Sequence, residues 1–263
     1  MRPFSEFLAS SFASMQGVAC DLDDTLTEHG VLPTASLEAL HRLGRAGVPV
    51  IVCTGRPLGW GDVLARLFPV RAVVTENGGA WVVREQGRLR VAFLEDEETR
   101  RNGMARVERM VDHLTQTFAG LGRVKDLSVR ATDVALDIHE AADVPDDVVA
   151  RAMDLARGAG LFTVASTVHL HVASRAPDKF EGLRAAVRDV GLDADAVAER
   201  WIFVGDSPND AGCFRAMKHG VGVANVRAFT GKLPAEPAFV TDASYGAGFA
   251  EVVDRLLASR GTA

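Results

Sequence analysis

Apolar residues fall along the chain in two rhythms. In the first third, short continuous apolar runs alternate with stretches of helical spacing. Gly17-Val18-Ala19-Cys20 runs apolar into an acidic turn. Leu37, Leu40 and Leu43 then recur at helical spacing between Thr34, a capping type, and Gly47, a stop. Pro49–Cys53 is a second run of strand length, Leu58–Phe68 reads as a helix and Arg71–Thr75 as a third strand. Continuous apolar strands separated by helices are buried on both sides, which predicts a parallel sheet with helices on both faces.

After Gly79 the pattern changes. Trp81–Val83 and Leu89–Phe93 read as strands paired around Gln86-Gly87, and Met104–Phe118 as a long helix. Val134, Leu136 and Ile138 then alternate with Asp133, Asp137 and His139. Pro145–Arg157 predicts a helix opened by its proline, and Val168–Val172 alternates again around His169 and His171. Alternation means a sheet with one apolar and one polar face, so this middle block is α+β.

From Pro177 the first rhythm returns. Helices are predicted over Asp178–Val190, Pro208–Met217 and Gly248–Ser259, and strands over Trp201–Val204, Val221–Ala224 and Ala238–Val240. The predicted architecture is α/β: a parallel core from residues 1–82 and 175–263, interrupted by an α+β insert over 83–174. Phe4, Phe7, Leu8 and Phe12 sit at helical spacing, so residues 1–16 read as a short amphipathic lead-in or a frayed tail. Glu6 and the serines around it break the apolar core that a secretory signal needs.

Composition narrows the classes. With 263 residues, 48% hydrophobic and 24% charged, the chain is a folded globular protein rather than a disordered, collagen-like or coiled-coil one. No apolar run reaches ~18 residues, so no membrane span is expected. A net charge of -6 argues against a general affinity for nucleic acid. Cys20, Cys53 and Cys213 lack metal-ligand spacing, and the first two end apolar runs. Buried reduced thiols in a cytoplasmic protein are expected.

Four polar clusters follow core elements, at the sheet edge where α/β proteins bind ligands. Asp21-Leu22-Asp23-Asp24-Thr25 puts Asp21 and Asp23 on one side of the departing chain, and two close carboxylates call for a cation such as Mg²⁺. Thr54-Gly55-Arg56 offers a hydroxyl and free N–H groups to a phosphate oxygen. Lys179 opens the helix after the insert, and Gly205-Asp206-Ser207-Pro208-Asn209-Asp210 could complete a cation site. Each cluster has an ordinary reading when taken alone: an acidic turn, a plain turn, a solvated lysine and a helix cap.

Together and in this order they resemble the haloacid dehalogenase superfamily of phosphohydrolases from Val18 onward. Asp21–Thr25 resembles its first motif, Thr54 its second, Lys179 its third and Gly205–Asp210 its fourth. The insert and the loop Thr75-Glu76-Asn77-Gly78 are similar to the type IIB cap subfamily, where sugar phosphatases such as sucrose-phosphate phosphatases are found. The resemblance implies a Rossmann-like core with a cap domain, and Mg²⁺-dependent hydrolysis of a small phosphate ester such as a sugar phosphate. Asp21 would be the nucleophile and Asp23 the acid and base. Thr54, Gly55, Arg56 and Asn209 would bind phosphate, and Lys179 would balance charge. Asp21, the Asp23 backbone carbonyl, Asp206 and Asp210 would hold the metal.

In the insert, His169 and His171 lie on a polar strand face. They read as contacts for substrate hydroxyls, as part of a solvated face, or as metal ligands. A phosphomutase of the same superfamily and a silent binding protein of this fold stay open as alternatives. The expected partner is a small phosphate ester, with no nucleic acid or membrane, and the chain is a monomer or a dimer.

Overall fold

The computed structural model describes residues 1–85, 87–125, 129–165 and 168–261. Nine strands form one sheet: β1 (Arg2–Pro3), β2 (Gly17–Cys20), β3 (Val50–Cys53), β4 (Ala72–Thr75), β5 (Ala80–Glu85), β6 (Arg88–Phe93), β11 (Trp201–Gly205), β12 (His219–Gly222) and β13 (Phe239–Val240). Four more form a second sheet: β7 (Gly122–Arg123), β8 (Asp133–Asp137), β9 (Phe162–Ala165) and β10 (His169–Ala173). The helices are α1 (Ala9–Phe12), α2 (Thr34–Arg45), α3 (Leu58–Leu67), α4 (Glu97–Thr117), α5 (Asp146–Gly158), α6 (Lys179–Asp189), α7 (Val197–Arg200), α8 (Ala211–Ala216) and α9 (Tyr245–Ser259).

The large sheet has the order β1-β13-β12-β11-β2-β3-β4-β5-β6. It is parallel from β1 to β4, and the β5–β6 hairpin then adds antiparallel. Period-two alternation divides its strand residues between two cores. Val18, Cys20, Val50 and Val52 pack with Leu40 and Leu43 of α2, Leu64 of α3 and Phe249 of α9. Ala19, Ile51, Cys53 and Phe203 pack with Leu183 of α6, Val197 of α7 and Phe214 of α8. The helices on both faces are those the continuous apolar runs require.

The smaller sheet, β7-β8-β10-β9, is antiparallel. Val134, Leu136, Leu170 and Val172 bury its apolar face against Val107 and Val111 of α4 and Val149 and Ala152 of α5. Asp133 and His171 lie on the other face and line a cleft shared with Glu76, Asn77 and Gly79 of the large-sheet unit. The polar face of the insert thus looks across at the parallel sheet.

Several boundaries differ from the sequence reading. Residues 83–85 and 88–93, expected in the insert, lie in the large sheet, because Val82 is buried in one of its cores and Trp81 and Val83 in the other. Gln86 of the predicted turn lies outside the described residues. Helix α4 starts at Glu97 rather than Met104, with Asp96 accepting from the Thr99 backbone N–H at 2.8 Å. That first stretch is exposed and polar, so it carries no apolar period. Pro208–Asp210 is a single 3-10 turn ahead of a short α8 rather than the start of one longer helix.

The first sixteen residues are not frayed. Arg2–Pro3 pairs parallel with β13, and Phe4, Phe7, Phe12 and Met15 are buried. The Phe7 and Phe12 rings stack with centroids 4.3 Å apart. Cys20, Cys53 and Cys213 are buried and unpaired. Among the described residues no helix is long and apolar enough to cross a membrane. The Phe12→Ala variant is expected to lose about 3–5 kcal/mol of stability in denaturant titration, the usual cost of emptying a buried phenylalanine site.

Candidate active site

Strand β2 lies between β11, which follows the insert, and β3, which precedes it. This is the point where strand order reverses, and the crevice beyond the strand ends is the usual ligand site. Asp21 leaves β2 there, with its N–H bonded to the Val204 carbonyl at 2.8 Å. Thr54 leaves β3 with its N–H bonded to the Val74 carbonyl at 2.8 Å. Gly205 ends β11, and a side chain at that position would collide with the Asp210 carboxylate.

Lys179 comes from the far side of the insert. Asp178 caps α6 by accepting from the N–H groups of Phe180 and Glu181, at 2.8 and 3.2 Å. The helix start lies against the turn at Gly78, whose φ is 110°. A Cβ on Gly78 would strike the Asp178 carbonyl, and one on Gly182 would come within 2.5 Å of Gly78. Two glycines therefore set the approach that lets Lys179 reach across.

The lysine is fully buried, and its Nζ donates to Asp21 Oδ1 at 2.8 Å and to Asp210 Oδ1 at 2.7 Å. Burial alone would lower its pKa, but the two carboxylates outweigh that and hold it above the ordinary range. Asp210 Oδ2 accepts from the backbone N–H groups of Asp206 and Ser207, at 2.9 and 3.2 Å. Asp210 thereby fixes both the lysine and the loop after β11.

Oxygens of Asp21, Asp206 and Asp210 lie within 4.8 Å of one another, and all three residues are buried. One lysine faces three carboxylates. Burial and the neighbouring acids push Asp21 well up, against the pull of Lys179. Burial, then Asp210, pushes Asp206 up to about 7. Hard oxygen donors and an excess of buried negative charge suit a divalent cation.

Asp23 stands apart from this triad. Its half-exposed carboxylate takes a bidentate pair from Arg56, with Nε at 2.9 and 3.0 Å and Nη2 at 2.6 Å. Thr54 Oγ1 is 3.5 Å from the same carboxylate. The Arg56 guanidinium lies over the Trp60 ring, 4.1 Å from its centroid. Asn209 Nδ2 reaches Asn77 Oδ1 at 3.4 Å, and a Cβ on Gly55 would sit 3.1 Å from that oxygen. Asp21, Asp23, Thr54, Gly55, Arg56, Lys179, Asp206, Asn209 and Asp210 are thus gathered at one sheet edge.

The two cap histidines part company. His171 Nδ1 meets Asp133 at 2.9 Å and faces the cleft. His169 Nε2 pairs with Glu140 at 2.8 Å. They bond different carboxylates, and among the described residues no cluster suited to a metal includes them.

The sequence reading missed four contributors. Thr25 Oγ1 donates to Asp206 at 3.1 Å, and Asn225 Nδ2 donates to the same carboxylate at 3.2 Å. Trp60 backs Arg56. Glu76 is buried and accepts from the N–H groups of Leu58, Ala131 and Thr132. Thr25 and Glu76 stand within motifs that the sequence shows, Asp21–Thr25 and Thr75–Gly78, but no pattern marks Asn225 or Trp60.

The model of the haloacid dehalogenase-like hydrolases matches residues 18–99. A phosphoglycolate phosphatase of Haloarcula marismortui is 30% identical over 234 residues, covering 89% of this chain and 93% of that one. The chain belongs to the haloacid dehalogenase-like hydrolase family. It is a phosphatase of that family. A phosphoglycolate phosphatase of Methanothermobacter thermautotrophicus is 27% identical, covering 92% of this chain and 99% of its own length. The sucrose-phosphatase of Synechocystis, solved with sucrose and phosphate, shares the fold with a TM-score of 0.66 at 16% identity, covering 92% of this chain and 98% of that one.

Replacing Lys179 by Met leaves Asp21 and Asp210 buried without their cation, at an expected loss of about 3–5 kcal/mol near neutral pH. Asp21, which burial already pushes up, then holds a proton in the folded state that the unfolded chain releases. That favours folding at low pH and is lost as pH rises through the raised pKa of Asp21. Denaturant titrations across pH should show the deficit shrinking on acidification and growing on the alkaline side.

Proposed function

We propose that this phosphatase is Mg²⁺-dependent and hydrolyses a small phosphate monoester through an aspartyl-phosphate on Asp21. The observation that carries this reading is the buried Lys179 held between Asp21 and Asp210, beside Asp206. A phosphate monoester is polyanionic and resists nucleophiles, so positioned charge is what such a reaction needs. Asp21 attacks phosphorus, which splits one hard displacement into two steps. Asp23 protonates the leaving alkoxide and later takes the proton of the incoming water. Arg56 aims Asp23 through its bidentate pair, and Trp60 holds the guanidinium in place. Thr54, the Gly55 backbone and Asn209 receive phosphate oxygens, while Lys179 offsets the charge gathered around them.

Asp21, the Asp23 backbone carbonyl, Asp206 and Asp210 would hold Mg²⁺. The ion, when bound, neutralises charge on the phosphate and the attacking carboxylate.

The division of labour we propose gives catalysis to the large-sheet unit, with the β5–β6 hairpin, and substrate choice to a cap over residues 94–174. His171 reaches the cleft from the cap, with Asp133 fixing its ring. A carboxylate-bearing ester of the 2-phosphoglycolate kind is the first substrate class to test, supported by relatives that align over nearly the whole chain. A sugar phosphate is the second, supported by the polar cap face. Three buried unpaired cysteines support a cytoplasmic location.

Asp21→Asn is expected to abolish turnover of p-nitrophenyl phosphate with Mg²⁺ while melting no lower than wild type, since it removes one of the crowded buried carboxylates. Substantial activity in that variant would overturn the nucleophile assignment. Measured phosphate release should favour phosphoglycolate over hexose phosphates, whereas isomer formation without release would indicate a mutase. Substituting His171 is expected to raise KM for the preferred substrate more than for p-nitrophenyl phosphate.

A further inference from the structure

Asn225 sits in the 3-10 helix Ala224–Phe229, just after β12 and outside every motif noted in the sequence. Its side chain joins three parts of the core. Nδ2 donates to the Asp24 carbonyl at 2.9 Å and to Asp206 Oδ2 at 3.2 Å. Oδ1 accepts from the Tyr245 N–H at 3.0 Å, at the start of α9. Only this orientation of the amide satisfies all three partners, because a flipped amide would face N–H to N–H.

Two of those partners are held in an unusual backbone state. Asp24 has φ 55° and Tyr245 has φ 54°, both left-handed without being glycine. Such conformations persist where surrounding bonds over-determine them. Asn225 bonds to both, and through Asp24 it reaches the turn that carries Asp21 and Asp23. Meanwhile Asp206 has one oxygen held by Asn225 and the other by Thr25 Oγ1 at 3.1 Å. The carboxylate therefore has no free rotation about its terminal bond. Both donors are neutral, so they orient Asp206 without cancelling the charge that a cation would meet.

We propose that Asn225 is a positioning residue for the divalent cation. It fixes the Asp206 carboxylate in register with Asp21 and ties both to the start of α9. The inference rests on the reading of Asp206 as a metal ligand. Partners that orient a ligand from outside the coordination sphere typically cost 10–100-fold in metal affinity when removed.

The test is Mn²⁺ binding to the folded protein, followed by electron paramagnetic resonance of the free ion, in wild type and in Asn225→Ala, Asn225→Ser and Asp206→Asn. Melting curves set the temperature so that each variant is fully folded, and Asn225→Ser serves if the alanine variant does not fold. Asn225→Ala is expected to bind Mn²⁺ about 10–100-fold more weakly, with Asn225→Ser between it and wild type. In turnover of p-nitrophenyl phosphate, the half-saturating Mg²⁺ concentration should rise far more than KM for the ester. A lower melting temperature with unchanged Mn²⁺ affinity, alongside weakened binding in Asp206→Asn, would mean that Asn225 is only a structural tie, and the proposal fails. Unchanged binding in Asp206→Asn as well removes the metal reading beneath it, and the proposal falls with that reading.

Discussion

The ammonium of Lys179, buried between Asp21 and Asp210, is the contact on which the arrangement of this protein depends. A charged amine out of water is costly unless paired and hydrogen-bonded, and here two carboxylates meet it at 2.8 and 2.7 Å. The three residues come from the end of β2, the start of α6 and the loop after β11. The chain must therefore leave the sheet, build the α+β insert, and return so that α6 begins beside the first strand end. The glycines at 78 and 182 make that return possible, because side chains at either would block the close approach.

This pairing also explains why the acidic cluster is left unbalanced. Asp210 spends one oxygen on the lysine and the other on two backbone N–H groups, so it holds structure as well as charge. Asp21 shares the lysine. Asp206 has only neutral donors, and burial with Asp210 nearby pushes it up to about 7. Asp206 is thus the carboxylate of the three that no cationic side chain bonds, next to the strand end where Asp21 emerges. A divalent cation there would relieve a strain that the protein's own side chains leave in place.

The parallel core was legible because its strands are buried on both faces and read as unbroken apolar runs. Asp21, Asp23, Thr54, Lys179, Asp206 and Asp210 could be picked out because each stands just beyond such a run or opens a helix. What stayed hidden depends on contacts between segments remote in sequence. The β5–β6 hairpin joins the core only because Trp81 and Val82 point into opposite packed layers. The first turns of α4 are polar and declare themselves only through the Asp96 cap. Asn225 and Trp60 are ordinary residues in sequence and become informative only beside Asp206 and Arg56. His169 and His171 share an H-x-H spacing that suggests one role, yet they bond different carboxylates, Glu140 and Asp133.

The turn at residues 76–78 shows how far apart sequence spacing and function can be. Glu76, Asn77 and Gly78 are all left-handed, with φ of 51°, 53° and 110°. Each serves a different neighbour. Gly78 admits the start of α6 and so places Lys179. Asn77 stands against Gly55 and Asn209. Glu76 turns away from both and accepts from Leu58 in the core and from Ala131 and Thr132 in the cap. Left-handed non-glycine residues cost about 1–3 kcal/mol each and need surrounding bonds to hold them. The Glu76 carboxylate supplies those bonds, although burial and nearby Asp133 push its pKa up. Glu76 thus ties the backbone that carries Asn77 to both α3 and the cap through one short left-handed turn.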